Sequence, residues 1–251
     1  KHRFLGLYTS TVYTLTPTAI PIIRRKVAAV LDRSGLDLKD HTGKDLERVL
    51  DVFPRDELFQ SSVDELFSTT MAVNQIQERR QVRLFVRRDN YRKFVNCLVY
   101  TPRDIYRTHL RESIENLLCE TFGAKEAEFT TYFSESVLAR THFVLRVDPA
   151  IRNDVDIKQL ENEVVQLTMS WEEHLKNYLA EDFGEEQGAK LFNEYGKAFS
   201  PGYRDDFVPR AAIDDIVKIS SLEDADQIAM SFYRKLDEQD NKVRFRLFHL
   251  D

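Results

Sequence analysis

Apolar residues recur along this chain with two periods, and each switch between them marks a change of element. Residues 3–13, RFLGLYTSTVY, are rich in aromatic and β-branched residues and predict a strand. After Pro17 and Pro21, the spacing of Ile23, Val27, Val30 and Leu31 predicts a helix over 22–33, stopped by Gly35. Leu46, Val49, Leu50 and Phe53 predict a second helix over 43–53, which Pro54 ends before a short turn at PRDELF. The stretch SSVDELFSTTMAVNQIQERR predicts a third. Ser62 is its N-cap, Glu65 the capping-box partner, and Leu66, Met71 and Ile76 lie near its buried face.

The period then becomes two. Val82, Leu84 and Val86 alternate with Arg83, Phe85 and Arg87, and RDNYR makes a turn. Residues 94–100 are apolar almost throughout, which predicts a strand that is buried on both faces or central. Pro102 is expected in the first turn of a helix running to Phe122, with Tyr106, Leu110, Ile114, Leu117 and Thr121 on one face and Gly123 at its end. Strands follow at 127–133 and 139–147. Ile157, Leu160, Val164, Leu167, Trp171, Leu175 and Tyr178 then step by three and four, predicting one long helix over 157–179.

Residues 81–180 thus read strand, strand, helix, strand, strand, helix. Moving the first strand to the end gives a split βαβ module. The expected fold class is therefore α+β: a permuted ferredoxin-like antiparallel sheet of four strands with two helices on one face. A helix at 185–199, the turn SPGYRDDFVPR and a proline-opened helix, RAAIDDIVKI, lead to a final hairpin, 228–236 with 242–250, around DEQDN. The order of elements at 54–100 recurs there, as in tandem modules. The expected organisation is 1–80 as the end of a preceding module plus a helical segment, 81–180 as the sheet module, 181–225 as a helical linker and 226–251 as a further, truncated module. The chain starts and stops in strand-like stretches without polar tails, so it is expected to be a piece of a longer one.

Lys plus Arg number 36 against 42 Asp plus Glu, a formal net charge of -6, which argues against a general nucleic-acid binder. No apolar run is long enough to span a bilayer and nothing resembles a signal peptide. Cys97 and Cys119 sit within apolar patterns and make no disulfide scaffold, so a cytoplasmic chain with reduced, buried thiols is expected. Catalytic signatures are missing. The eight glycines include no nucleotide-binding spacing, the six histidines and two cysteines no zinc spacing, and no G-x-S-x-G elbow occurs. Adjacent acids such as Asp205–Asp206, Asp214–Asp215 and Glu172–Glu173 do not share a helix face and read as solvated surface. His142 and His109 read as hydrogen-bonded structural histidines, and Trp171 and Tyr178 as core. No catalytic, cofactor-binding or metal-binding residue is assigned.

The most basic stretch is RLFVRRDNYRKFVNCLVYTPRD. Arg79, Arg80, Arg83, Arg87, Arg88, Arg92 and Lys93 stand against one acid, Asp89. RKFVNCLVY lacks both glycines of the RNA-recognition strand pattern, so RNA binding is the weaker reading. A charged hairpin with its arginines on the solvent side is the stronger one.

Several long motifs carry a resemblance: RFLGLYTSTVYT, IPIIRRKVAAVLDRSGLD, FPRDELFQSSVDEL, the stretch from QVRLFVRRDNYRKF to LLCETFGA, and FSESVLARTHFVLRVDP. Together they resemble the N-terminal half of the large bacterial NAD-dependent glutamate dehydrogenases, over most of residues 3–148 and more loosely to the end. The resemblance implies a string of ACT-type domains joined by helical segments. It also implies a parent enzyme that oxidises L-glutamate to 2-oxoglutarate and ammonia with NAD, this region being regulatory or assembling rather than catalytic. NAD would belong to the parent and no cofactor to this region. The implied partners are the rest of the parent chain, other subunits of a homo-oligomer and an amino-acid effector, with no nucleic acid and no membrane. A carboxylate effector would favour helix N-termini and arginines, so Arg87, Arg88, Arg103 and Arg107 are the candidates. Surface arginines without a ligand, in a purely structural oligomerisation scaffold, are the alternative.

Overall fold

A computed structural model describes residues 6, 9–76, 79–134, 136–150, 154–222, 224, 226–233 and 244–249, with only the backbone of residues 233 and 244. The chain divides into two compact units, residues 1–168 and 169–251.

In the first unit, helices α1 (Thr11–Thr14), α2 (Ile23–Ser34), α3 (His41–Val52), α4 (Arg55–Gln60) and α5 (Val63–Ile76) precede the sheet. The strand expected over 3–13 is not what the described residues form. Thr11–Thr14 is a helical turn, and residues 3–5, 7 and 8 lie outside the described set. The turn packs Val12 into the helical core, so tertiary burial overrides the local β propensity. The expected capping box of α5 forms. Ser62 N–H donates to Glu65 Oε2 at 2.7 Å and Glu65 N–H to Ser62 Oγ at 3.2 Å, and these bonds hold the Glu65 carboxyl below its ordinary pKa. Gly43 is needed for a different reason. A Cβ there would meet the backbone of Asp37 and Leu38 at under 3.0 Å, because the first turn of α3 lies against that loop.

The sheet consists of β1 (Arg83–Arg88), β2 (Phe94–Pro102), β3 (Glu126–Phe133) and β4 (Leu138–Arg146), with α6 (Thr108–Phe122) and α7 (Ile157–Thr168) following β2 and β4. The strands run antiparallel in the order β1-β2-β4-β3. Val95, Cys97, Val99, Phe143 and Leu145 pack with Leu110, Ile114 and Leu118 of α6 and Leu160 and Val164 of α7. Leu98, Tyr100, Leu138 and Phe85 pack instead with α2, α3 and α5. One face therefore carries the two expected helices, and the other carries the helical segment that precedes the sheet. Every residue of β2 after Phe94 is buried.

The sequence expectation placed Pro102 in a helix. It is instead the last residue of β2, in register with Leu138, and five residues separate it from the start of α6, with Arg107 at the N-cap position. The buried stripe of α6 runs through Leu110, Ile114, Leu118 and Phe122 rather than through Thr121, whose hydroxyl turns back to the Leu117 carbonyl at 2.8 Å. Gly123 ends the helix at φ 63, a left-handed conformation that favours glycine.

The long helix expected over 157–179 is two helices, α7 and α8 (Trp171–Phe183). Ser170 starts α8 with a full capping box: its side chain accepts from Glu173 N–H, and Glu173 Oε2 accepts from Ser170 N–H at 2.7 Å. The apolar stripe is continuous in sequence but serves two cores, with Leu160 and Val164 in one and Leu175 and Leu179 in the other.

The second unit packs α8, α9 (Glu185–Tyr195), α10 (Pro201–Asp206) and α11 (Pro209–Ser220), followed by the hairpin β5 (Ile228–Tyr233) and β6 (Arg244–His249). The turn between these strands, including the expected DEQDN, lies outside the described residues. Trp171 is core, as expected, and its Nε1–H donates to the Phe207 carbonyl at 2.8 Å. Asp215, 1 % exposed, accepts from Tyr203 OH at 2.5 Å and pairs with Arg246 of β6. This buried pair fastens the hairpin to α11, so Asp215 is not the solvated carboxylate that its sequence suggests. Among the described residues no helix is long and apolar enough to cross a membrane.

The packing makes a direct prediction. Gly43→Ala forces backbone apart at the start of α3 and is expected to lower stability by about 1–3 kcal/mol, as a shift of the urea midpoint with unchanged slope. Gly202→Ala, with nothing within 4 Å of its Cβ position, is the control and is expected to shift it far less.

Candidate functional site

Polar side chains gather where α4 meets the sheet, between two otherwise apolar layers. Glu57 of α4 is 3 % exposed. Pro54 sets its position, since Pro54 is the N-cap residue of α4 and the helix is only six residues long. Lys26 of α2 closes the other end of α4, donating from Nζ to the carbonyls of Leu58 (3.0 Å), Phe59 (2.7 Å) and Ser61 (2.6 Å). A cation at a helix C-terminus opposes the partial negative charge there. Burial, with the nearby charge of Arg87, lowers the Lys26 pKa.

Arg87 of β1 meets Glu57 as a fork. Nε donates to Oε2 at 2.7 Å and Nη2 to Oε1 at 2.5 Å, with Gln60 Oε1 a further acceptor at 3.0 Å. These bonds to Glu57 raise the Arg87 pKa against the cost of burial. Asn96 of β2 and His142 of β4 complete the cluster, 5 % and 8 % exposed. The Asn96 amide is satisfied at both ends when its oxygen accepts from Arg87 Nη2 (3.1 Å) and its nitrogen donates to His142 Nε2 and Glu57 Oε1 (3.3 Å each). His142 Nε2 is then an acceptor and the ring is neutral with its proton on Nδ1. Burial lowers the His142 pKa, partly opposed by Glu57. Open clefts of about 470 and 570 Å³ flank this cluster, and Arg87 and Asn96 line both.

The four arginines singled out in the sequence occupy separate places. Arg87 turns inward onto Glu57, so the expectation of solvent-facing arginines fails at this position. Arg88, the next residue of the strand, points to the opposite face and lies over the Phe122 ring at 5.6 Å. Arg103 donates to the Ser134 carbonyl at 2.7 Å and lies over Phe133 at 5.7 Å. Arg107 donates to the Tyr106 carbonyl at 2.8 Å. Arg88 pairs with Val95 at one end of β2, while Arg103 follows its other end, roughly 25 Å away at about 3.3 Å per residue. The hairpin arginines and the helix-start arginines are therefore not brought together.

Three of the seven cations of the basic strip pair with acids remote in sequence. Arg80 pairs with Asp104, Arg83 with Glu161 at 3.2 Å and Arg87 with Glu57. Asp89 organises the hairpin turn, accepting from Phe94 N–H at 2.9 Å and Tyr91 N–H at 3.1 Å. Glu57, Asn96 and His142 were not assigned to a site from the sequence. The visible signal was one amide inside the otherwise apolar run 95–100 and one imidazole next to Phe143, Val144 and Leu145. Among the described residues no group of three or more His, Cys, Asp or Glu is arranged to hold a metal ion.

Removing one partner of a buried pair leaves an uncompensated charge, so Glu57→Ala is expected to cost about 3–5 kcal/mol. Glu57→Leu with Arg87→Met is expected to cost much less than the two single changes together, as a double-mutant cycle of urea titrations would measure. His142 sets a pH dependence, with Glu57, Asp56, Arg87 and Arg140 as the charged groups around it. Its folded pKa lies below its unfolded one, so between the two the unfolded chain binds more protons. The contribution of His142 to stability is thus present above about pH 6.5 and is lost as pH falls towards the folded pKa. The melting temperature is expected to drop between pH 7.5 and pH 5, with a smaller drop in His142→Gln.

Comparison with known proteins places this arrangement. The family described as glutamate dehydrogenase, helical motif 1, matches residues 20–79, its ACT2 domain matches residues 83–172, and its helical motif 2 matches residues 178–222. Proteins named NAD-specific glutamate dehydrogenase are similar over almost the whole chain. Those of Pseudomonas aeruginosa and Halomonas elongata are 46 % and 44 % identical over 249 residues, covering 99 % of the chain in each case. That of Mycobacterium tuberculosis is 33 % identical over 251 residues, covering 95 %. The chain spans about 15 % of the length of each of these relatives. Carrying the ACT2 domain between the two helical motifs, the chain belongs to the NAD-specific glutamate dehydrogenase family.

Proposed function

We propose that this chain is a non-catalytic regulatory and assembly region of a glutamate dehydrogenase. Its parent protein would oxidise L-glutamate to 2-oxoglutarate and ammonia while reducing NAD, in the cytoplasm and as a homo-oligomer. The sheet is read as a permuted ferredoxin-like, ACT-like module. The strand order β1-β2-β4-β3, with helices after β2 and β4, supports that reading.

One observation carries the regulatory part. Helical motif 1 and the sheet share a core and are joined by the Glu57–Arg87 fork, so neither can shift without the other. A ligand that prefers one arrangement of this junction would change the equilibrium between arrangements by its difference in affinity. An amino-acid effector acting at the junction fits this requirement better than one spread over Arg87, Arg88, Arg103 and Arg107, which lie apart.

A purely structural role is the second reading, and the final hairpin favours it. Ile228, Met230 and Phe232 of β5 stand opposite His249, Leu247 and Phe245 of β6, and Phe232 and Phe245 are 71 % and 65 % exposed. An apolar face of this kind marks a surface that other protein covers. We take the hairpin as the start of a further module, from about residue 226.

A melting-temperature screen of the chain against NAD and the amino acids, run alongside sedimentation, separates these readings. A ligand that binds only the folded form raises the melting temperature as its concentration rises. The expected result is a rise with at least one amino acid and none with NAD. A rise with NAD would overturn the non-catalytic reading. No response to any amino acid, with self-association that Phe232→Asp abolishes, would leave the scaffold.

A further inference from the structure

A smaller recess lies on the same face of the sheet, towards the opposite end of β2. Tyr100, Arg140 and Tyr132 are in register across β2, β4 and β3 and line it from the sheet side. Arg48, Val49 and Val52 of α3 and Val73 of α5 line it from the helical side. The space open to small molecules is about 50 Å³, several times the roughly 10–15 Å³ that one water needs.

Arg140 is the central group. Its Nη1 donates to the Val52 carbonyl at 2.6 Å, its guanidinium lies 5.0 Å from the Tyr132 ring centroid, and the Tyr100 hydroxyl is a further partner. Its Nε has no acceptor among the described residues. Burial pulls its pKa down, and the compensating groups are the two tyrosines. A buried cation is normally matched by an anion, and a guanidinium suits a carboxylate in particular. Arg48 adds a second positive charge from α3. It is well exposed and touches Asp45 only at 3.5 Å, so it is free to turn towards a ligand. The remaining lining from α3 and α5 is valine.

We infer that this recess binds a small aliphatic carboxylic acid, with its carboxylate on Arg140 and Arg48 and its short alkyl chain against Val49, Val52 and Val73. Two guanidiniums and no carboxylate among the described lining disfavour a charged amine. A simple or 2-oxo acid therefore fits better than the corresponding amino acid. The inference goes beyond the amino-acid effector of the regulatory reading and rests on that reading only for the consequence, which is that the bound acid ties α3 and α5 to the sheet.

The test follows the arginine Nε–H signals of the 15N-labelled chain by NMR during titration with 3-methylbutanoate. Arg140→Lys assigns the Arg140 signal by its loss. The expected result is a saturable shift of that signal, no shift with the neutral isostere 3-methylbutanamide, and weaker binding of leucine. Arg48→Ala, a change at an exposed residue, is expected to weaken binding by up to about fivefold. If Arg140→Lys does not fold, the Arg48→Ala arm still decides, by the ligand's own line broadening. No saturable shift, an equal shift with the amide, or tighter binding of leucine would overturn the inference. Glu135, between Ser134 and Ser136 of the lining, lies outside the described residues. Binding seen only in Glu135→Gln would mean that the chain's own acid fills the recess, and would also overturn it. Failure here leaves the regulatory reading standing, since that reading is decided by the response to NAD and amino acids.

Discussion

From Val95 onward strand β2 has no solvent-facing side, and much of the first unit follows from that constraint. Residues 95, 97 and 99 need one apolar layer, and residues 98 and 100 need another. Helices α6 and α7 supply the first. The second comes from α2, α3 and α5, so the helical motif and the sheet form one folded unit. Burial on this scale makes mutation at the junction costly, because well-packed side chains leave little room to relax.

The same constraint explains the electrostatics. A sheet face that must be covered cannot leave its charged residues in water, so each needs a partner in the covering layer. Arg87 finds Glu57, and Arg140 finds a carbonyl, a phenol and an aromatic face. The first solution is complete and the second leaves Nε open. In the second unit the Asp215–Arg246–Tyr203 group solves the same problem, and there it anchors a hairpin whose outer face is apolar. Of the basic strip that stands out in the sequence, Arg80, Arg83 and Arg87 are paired with acids that the fold brings to them.

Local signals were legible wherever the chemistry is local. Ser62 with Glu65 capped a helix as expected, Gly35 and Gly123 ended helices, and the alternation around 82–88 marked a strand. The run 94–100 was readable as doubly buried or central because period-two polarity was missing from it, and the structure makes it both. Local signals misled where a distant surface intervened. Pro102 was drawn into β2 by its pairing with Leu138, and residues 11–14 became a helical turn that packs Val12. The break at Ser170 was written in SWEE, a capping box. It was masked by an apolar stripe that two separate cores happen to share.

The candidate sites were the least legible part, for one physical reason. The sequence by itself determined most of the element types, the burial of β2 and the family to which the chain belongs, because periodicity, caps and long ordered motifs are carried by neighbouring residues. Only the tertiary structure decided that Glu57 meets Arg87 across 30 positions and that Arg140 lies against Val52 across 88. It also decided that Arg88 and Arg103 end up at opposite ends of one strand. A charge has no periodicity, and its partner is fixed by which surfaces the apolar layers bring together.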